Sequence, residues 1–223
     1  GKTYTSMSRH PPGSPSLSAT ERRATVSLAG IFALRMLGLF LILPVFALYA
    51  EGMAGVTPVL VGLAVGAYGL TQALLQIPFG MLSDRIGRKP VILGGLLVFA
   101  VGSLVAASAE TIYGVILGRA LQGSGAIAAA VMALAADLTR EEVRTRAMAM
   151  IGVSIGAAFA LALVLGPVLG HWVGVPGIFW ITAALAVGGI LIVIFLVPTP
   201  APPRVHRDAE ATRGQLRGVL LNR

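Results

Sequence analysis

Residues 79–93 read FGMLSDRIGRKPVIL. Asp84, Arg85, Arg88 and Lys89 crowd together there, between two long apolar runs. In a water-soluble domain such a cluster is an ordinary charged turn. Between two membrane-crossing helices it is a short connector with a definite side. The composition decides between the two. Apolar residues make up 56% of the 223 and charged residues 12%, against about 25% charged in ordinary globular domains. Mean hydropathy is +0.86. That leaves too little polar surface to face water, so lipid is the expected solvent and the bilayer the expected partner. Cysteine is absent, which removes disulfides and thiolate metal sites from consideration.

Working outward from the charged stretch, six apolar runs are legible: 27–49, 58–82, 91–109, 113–136, 147–170 and 178–197. Each holds about 20 residues or more, and at about 1.5 Å per residue that matches a hydrocarbon layer of roughly 30 Å. Backbone groups in lipid must find partners within their own segment, so these runs are helices. The alternating pattern of barrel strands, about ten residues long, is missing. The expected fold class is an all-α membrane protein with six transmembrane helices. The expected organisation is a disordered cytoplasmic tail over 1–22, a six-span domain over 23–198, and a cytoplasmic tail or linker start over 199–223.

The basic residues assign the sides. Of the 17 Lys and Arg, all but Arg35 and Arg119 lie before the first run or after the second, fourth and sixth. The connectors near Glu51, Glu110 and Val175 hold none. Cationic loops stay in the cytoplasm, which places both termini and the 84–89 turn inside the cell. The net charge of +8 therefore reports topology, and a nucleic-acid partner is not expected.

Arg35 and Arg119 stand inside apolar runs, where an arginine costs on the order of 3 kcal/mol and faces a cavity or a partner unless it snorkels. Gln122 follows Arg119 on the same helical face, and Gln72 and Gln76 form an i, i+4 pair. These glutamines line a polar path or make interhelical hydrogen bonds. Gly123 leaves room for a neighbouring helix or a substrate. Gly166, Pro167 and Gly170 put a proline within the fifth run, which permits a kink that serves either packing or a hinge. ALRMLG (33–38) and GRALQG (118–123) are similar, as two three-helix repeats inserted in opposite directions would be. No two carboxylates share a run, so neither a metal site nor a glycosidase pair is expected. An intramembrane serine protease needs G-x-S-G and a membrane histidine; here Ser124 stands in GSGA and the sixth run has no histidine.

Gly80, Leu82, Asp84, Arg85, Gly87, Arg88 and Lys89 resemble the signature loop of the major facilitator superfamily, G-x-L-(a/s)-D-R-x-G-R-(K/R). Arg119, Gln122 and Gly123 resemble its span-four R-x-x-Q-G motif, and Gly166, Pro167 and Gly170 its span-five G-P-x-x-G element. Among members, the chain is similar to bacterial drug-efflux antiporters driven by protons. The resemblance implies a 3+3 inverted repeat forming one half of a twelve-helix transporter of a bacterial inner membrane. It further implies a small-molecule substrate, a proton gradient in place of a cofactor, and a second six-helix half. Asp84 and Arg88 would then latch the cytoplasmic side, Arg35 and Arg119 would face the cavity and tune coupling, and Gln72 and Gln76 would line the substrate path. His171 and Ala162 stand where the antiporter element carries glycine. No acid lies deep in any run. A sensor or scaffold derived from a half-transporter is the alternative.

Overall fold

The computed structural model describes residues 15–200, and every regular element among them is helical. α1 (Ala19–Leu41) starts on a reciprocal cap: Ser18 Oγ accepts from the Glu21 N–H at 3.2 Å, and Glu21 Oε2 accepts from the Ser18 N–H at 2.8 Å. Helix therefore begins inside the tail expected at 1–22; the rest of that tail before residue 15, and the chain after 200, lie outside the described residues. At Ile42 the helix passes into α2 (Leu43–Glu51), because Pro44 has no N–H to continue the ladder. α3 (Pro58–Ile86) opens on Thr57, whose Oγ1 accepts from the Leu60 N–H at 3.3 Å. α4 (Arg88–Ala107), α5 (Ile112–Ser124) and α6 (Ala128–Asp137) follow.

α7 (Glu141–Phe195) holds 55 residues, enough for about 80 Å of straight helix. It is not straight. Gly174 takes φ 67° and ψ 176°, a region open in practice only to glycine. Before it, Ser154 Oγ donates to the Ala29 carbonyl at 3.2 Å and Gly166 backs onto Leu41. After it, Thr182 Oγ1 donates to the Gly38 carbonyl at 3.1 Å, and Arg23 reaches the carbonyls of Phe195 and Leu196. The first arm thus ascends α1 and the second descends it. Five continuous stretches, Ala19–Glu51, Pro58–Ile86, Arg88–Ala107, Ile112–Asp137 and Glu141–Phe195, are long and apolar enough to cross a membrane. The separate runs expected at 147–170 and 178–197 are the arms of the last, since a single glycine makes the turn.

The interior lies between α1, α4, α6 and the second arm of α7, where Leu28, Phe32, Leu96, Phe99, Ile127 and Val193 are buried. Glycine sets how closely α4 and α5 approach. A Cβ on Gly102 would stand 2.7 Å from the Gly118 carbonyl oxygen, and one on Gly118 would stand 2.7 Å from the Gly102 oxygen. Small residues at such crossings are the usual means of helix association in lipid. Gly118→Leu should cost about 1–3 kcal/mol and lower the unfolding midpoint of the full chain in detergent. An unshifted midpoint would show that the pair has room to spare.

α3 packs differently. Only Ala64, Tyr68 and Ser83 are buried on it, while Val59, Leu63, Leu70, Leu74 and Ile77 are exposed. Its outer face carries an open hollow of about 540 Å³ lined by Gly62, Leu63, Gly66 and Leu70, among others. Apolar residues all round a helix are what a bilayer or a further helix requires.

Candidate functional site: a charged turn and a buried arginine pair

The charged turn is built by one glycine. Gly87 takes φ 104°, so α3 ends and α4 begins with a single residue between them. That brings Arg88 back over the end of α3. Its guanidinium pairs with Asp84, donates to Ser83 Oγ at 2.7 Å, and reaches Asp137 Oδ2 at the end of α6 at 3.3 Å. One arginine therefore ties three helix ends. Gly80 lies against Ala129 of α6, where an added Cβ would meet the Ala129 Cβ at 3.4 Å. Leu82, Asp84 and Arg85 are exposed on the outer side of the turn. Among the described residues Arg85 makes no hydrogen bond, and beside it Pro78, Met81 and Leu82 line an open apolar hollow.

Lys89 turns the other way. Its Nζ donates to the Val197 carbonyl at 2.7 Å. Arg23 donates to the neighbouring Leu196 and Phe195 carbonyls at 3.0 and 3.2 Å. Last-turn carbonyls lack helical partners and carry the negative end of the helix dipole, so cations suit them. A second ionic link joins the α6–α7 connector to the start of α1. Glu21 accepts from Arg140 Nε at 2.9 Å, from Arg140 Nη2 at 3.1 Å and from the Arg140 N–H at 2.9 Å. Ahead of the apolar run, these bonds hold the Glu21 carboxyl down to about 2, the Arg140 side chain first and the Ser18 and Arg140 N–H groups after it. A lowered carboxyl stabilises the fold fully above the ordinary 4.5 and loses that contribution as pH falls toward about 2.

Arg35 and Arg119 turn inward. They are 0% and 3% exposed, so Arg35 faces the interior of this unit and not the open side where a cavity was expected. The two halves of the weak sequence repeat nevertheless meet. The Arg35 Cζ lies 5.7 Å and the Arg119 Cζ 5.1 Å from the centre of the Tyr68 ring. Arg35 also lies 5.1 Å from the Phe99 ring and donates from Nη2 to the Gly125 carbonyl at 2.8 Å. That carbonyl is free because the helix breaks between α5 and α6. Arg119 donates to Gln122 Oε1 at 2.9 Å and to the Ala64 carbonyl at 3.3 Å; Gln122 in turn donates to Ser103 Oγ at 2.8 Å. Gly123 has no side chain where Tyr68 and Thr71 of α3 press against it, which lets α5 seat the arginine beside the phenol.

Gln72 and Gln76 follow Tyr68 along α3, partly buried, with their Oε1 atoms unpartnered. Gly166, Pro167 and Gly170 do not interrupt α7: helical dihedrals continue through them, and the break falls at Gly174. Gly166 lies against Leu41 and Pro44, and Gly170 against Val45, so here these glycines serve close packing. Tyr68, Ser103, Asp137 and Glu21 were not singled out from the sequence. Only Glu21 carried a local signal, the Ser-x-x-Glu capping pattern at 18–21.

The chain matches the Major Facilitator Superfamily over residues 28–221. It is 56% identical over 200 residues to the inner membrane transport protein YajR of Escherichia coli K12, covering 90% of this chain and 44% of that protein. It superposes on the human organic anion transporter MFSD10 (TETRAN) with a TM-score of 0.66 at 25% identity, over 83% of this chain and 49% of that one. A bacterial homologue of the human lysosomal transporter Spinster, in an inward-facing and occupied conformation, gives a TM-score of 0.73 at 16% identity, over 84% of this chain and 46% of that one. The chain thus spans about half the length of the proteins it matches. With its charged turn between apolar helices and its all-helical, glycine-packed architecture, it belongs to the major facilitator superfamily, a family of transporters rather than enzymes.

Proposed function

We propose that this chain supplies the first half of a secondary active transporter that exports small organic solutes, of the drug-efflux type, in exchange for protons. A second half of similar size completes the cavity, and the two rock about it to expose the substrate alternately to each side. The observation that carries the reading is the Arg88 bracket. Arg88 ties the ends of α3 and α6, and Asp84, held by Arg88 through Oδ1 alone and otherwise exposed, keeps its second oxygen open to the other half. The open apolar face of α3 supports the same partner. The likeness to a protein named for inner-membrane transport supports a bacterial inner membrane as the location.

Proteoliposomes holding the full chain should move a fluorescent drug dye when a pH gradient is imposed, and a protonophore should abolish the movement. Dye flux indifferent to the gradient would remove the proton from the mechanism. Cytoplasmic termini and a cytoplasmic 84–89 turn follow from the arginine distribution. The chain has no cysteine, so single cysteines report cleanly. Arg85→Cys should react with an impermeant maleimide only from the cytoplasmic side, and Glu110→Cys only from the outside. The reverse pattern would invert the topology. We read the two arms of α7 as separate crossings, which gives six spans and puts Gly174 at the outer surface.

A further inference from the structure

α3 is the least buried of the long helices, with Ala64, Tyr68 and Ser83 its fully covered residues. The side-chain bonds that join it to α5 fall between residues 64 and 71. Thr71 Oγ1 donates to the Ala120 carbonyl at 2.9 Å, and Arg119 Nε donates to the Ala64 carbonyl at 3.3 Å. Gly123 is bare at the same level, where an added Cβ would run into the Tyr68 carbonyl and the Thr71 side chain. A helix fastened at one close crossing, with an apolar open face on its other side, has a fulcrum.

Tyr68 sits at that crossing, 6% exposed. Its ring centre lies 5.1 Å from the Arg119 Cζ and 5.7 Å from the Arg35 Cζ, while its hydroxyl is buried without a partner. The face of the ring makes the contacts. The two arginines depend on it unequally. Arg35 also has the Phe99 ring at 5.1 Å and the Gly125 carbonyl at 2.8 Å. For Arg119, Tyr68 is the one aromatic face among the described residues. The ion pairs among those residues all lie at helix ends, away from both arginines. The Arg119 guanidinium is therefore aimed by Gln122 on its own helix, and by the Ala64 carbonyl and the Tyr68 ring, both on α3.

We propose that Tyr68 is a positioning residue for transport: its ring ties the Arg119 guanidinium to α3, so that a tilt of α3 against the second half reorients the arginine on which coupling depends. The inference rests on the transporter reading and deepens it. A desolvated cation–π contact is strong enough to orient a guanidinium, and the planar cation stacks on a ring face. Gln122 is itself held by Ser103 of α4. One side of the guanidinium is thus fixed to the α4–α5 pair, and the other rides on α3. A change in the angle between α3 and α5 moves the second set of partners and leaves the first in place.

The test uses proteoliposomes of the full chain, assayed for gradient-driven dye flux and for dye exchange without a gradient. Tyr68→Leu removes the ring and should lower gradient-driven flux about tenfold, while exchange stays within about twofold of wild type. Tyr68→Phe keeps the ring and should return flux to the wild-type range. In an Arg119→Ala background, Tyr68→Leu should cause no further fall, because the ring acts through the arginine. Tyr68→Met reaches as far without a π face, should repeat the leucine result, and serves if the leucine variant does not insert. A second readout needs no transport: the shifts in unfolding midpoint for Tyr68→Leu and Arg119→Ala in detergent should sum to more than the shift of the double variant.

Undiminished gradient-driven flux in Tyr68→Leu and Tyr68→Met would overturn the proposal. So would an equal loss of exchange, or failure of both variants to insert, since either makes the ring a packing residue. A Tyr68→Phe variant as impaired as the other two would move the role to the hydroxyl and overturn it as well. Exchange without gradient-driven flux in wild type removes the proton-driven reading instead, and the midpoint cycle then decides for or against the tie by itself.

Discussion

Asp84→Asn in the full chain should lower proton-driven transport about fivefold while leaving the amount of inserted protein unchanged. The two expectations rest on different links. The Asp84 side chain is 62% exposed, and exposed ion pairs stabilise by about 0–1 kcal/mol. Arg88 keeps Ser83 at 2.7 Å and Asp137 at 3.3 Å when Asp84 is neutralised. The fold therefore survives. Transport depends instead on the balance between two conformations, and a latch contributing on the order of 1 kcal/mol to one of them shifts that balance about fivefold. A carboxylate opposite a helix N-terminus contributes about 0.3–1 kcal/mol, and the pairing with Arg88 adds to it. Flux within a factor of two of wild type would show that the bracket holds this half together and does nothing more.

Arg119→Ala should abolish gradient-driven flux, by about 100-fold or more as expected for loss of a positioned proton-linked group, while exchange of substrate down its own gradient persists. The split matters because a merely structural arginine would lose both together. Assembly should be spared. The substitution forfeits hydrogen bonds to Gln122 and Ala64, but it also relieves an unneutralised buried charge, and the two effects oppose each other. Arg119→Lys should not restore coupling, because one ammonium does not reproduce the fork that meets Gln122 and Ala64 together. Normal gradient-driven flux in either variant would exclude Arg119 from coupling.

Much of this molecule is legible along the chain. Apolar runs set by lipid thickness, and connectors sorted by charge, are local and additive signals. The 79–93 turn could be read because one glycine and four charges sit within a few residues. The start of α1 has an equally local signal, the Ser18–Glu21 cap, but it falls inside the tail expected as disordered and goes unread there. The failures share a different cause. A run of apolar residues does not say which flank a buried arginine points to, since in lipid both flanks are apolar; Arg35 was therefore expected on a cavity and lies sealed inside. Pro167 permits a kink for packing or a hinge, but nothing around it marks Gly174, where the dihedral break between the two arms falls. Partners such as Ser103 for Gln122, Asp137 for Arg88 and Tyr68 for both arginines arrive from other helices. No periodicity within one segment reveals them.

The grip of Arg23 and Lys89 on the carbonyls of residues 195–197 has a mechanical consequence. Lys89 belongs to the same turn as Arg88, so the proposed latch and the end of α7 are joined through that turn. On the proposed latch, a tilt of α4 would act on residues 195–197 directly through these bonds. The end of the last helix would thereby be geared to the proposed gate.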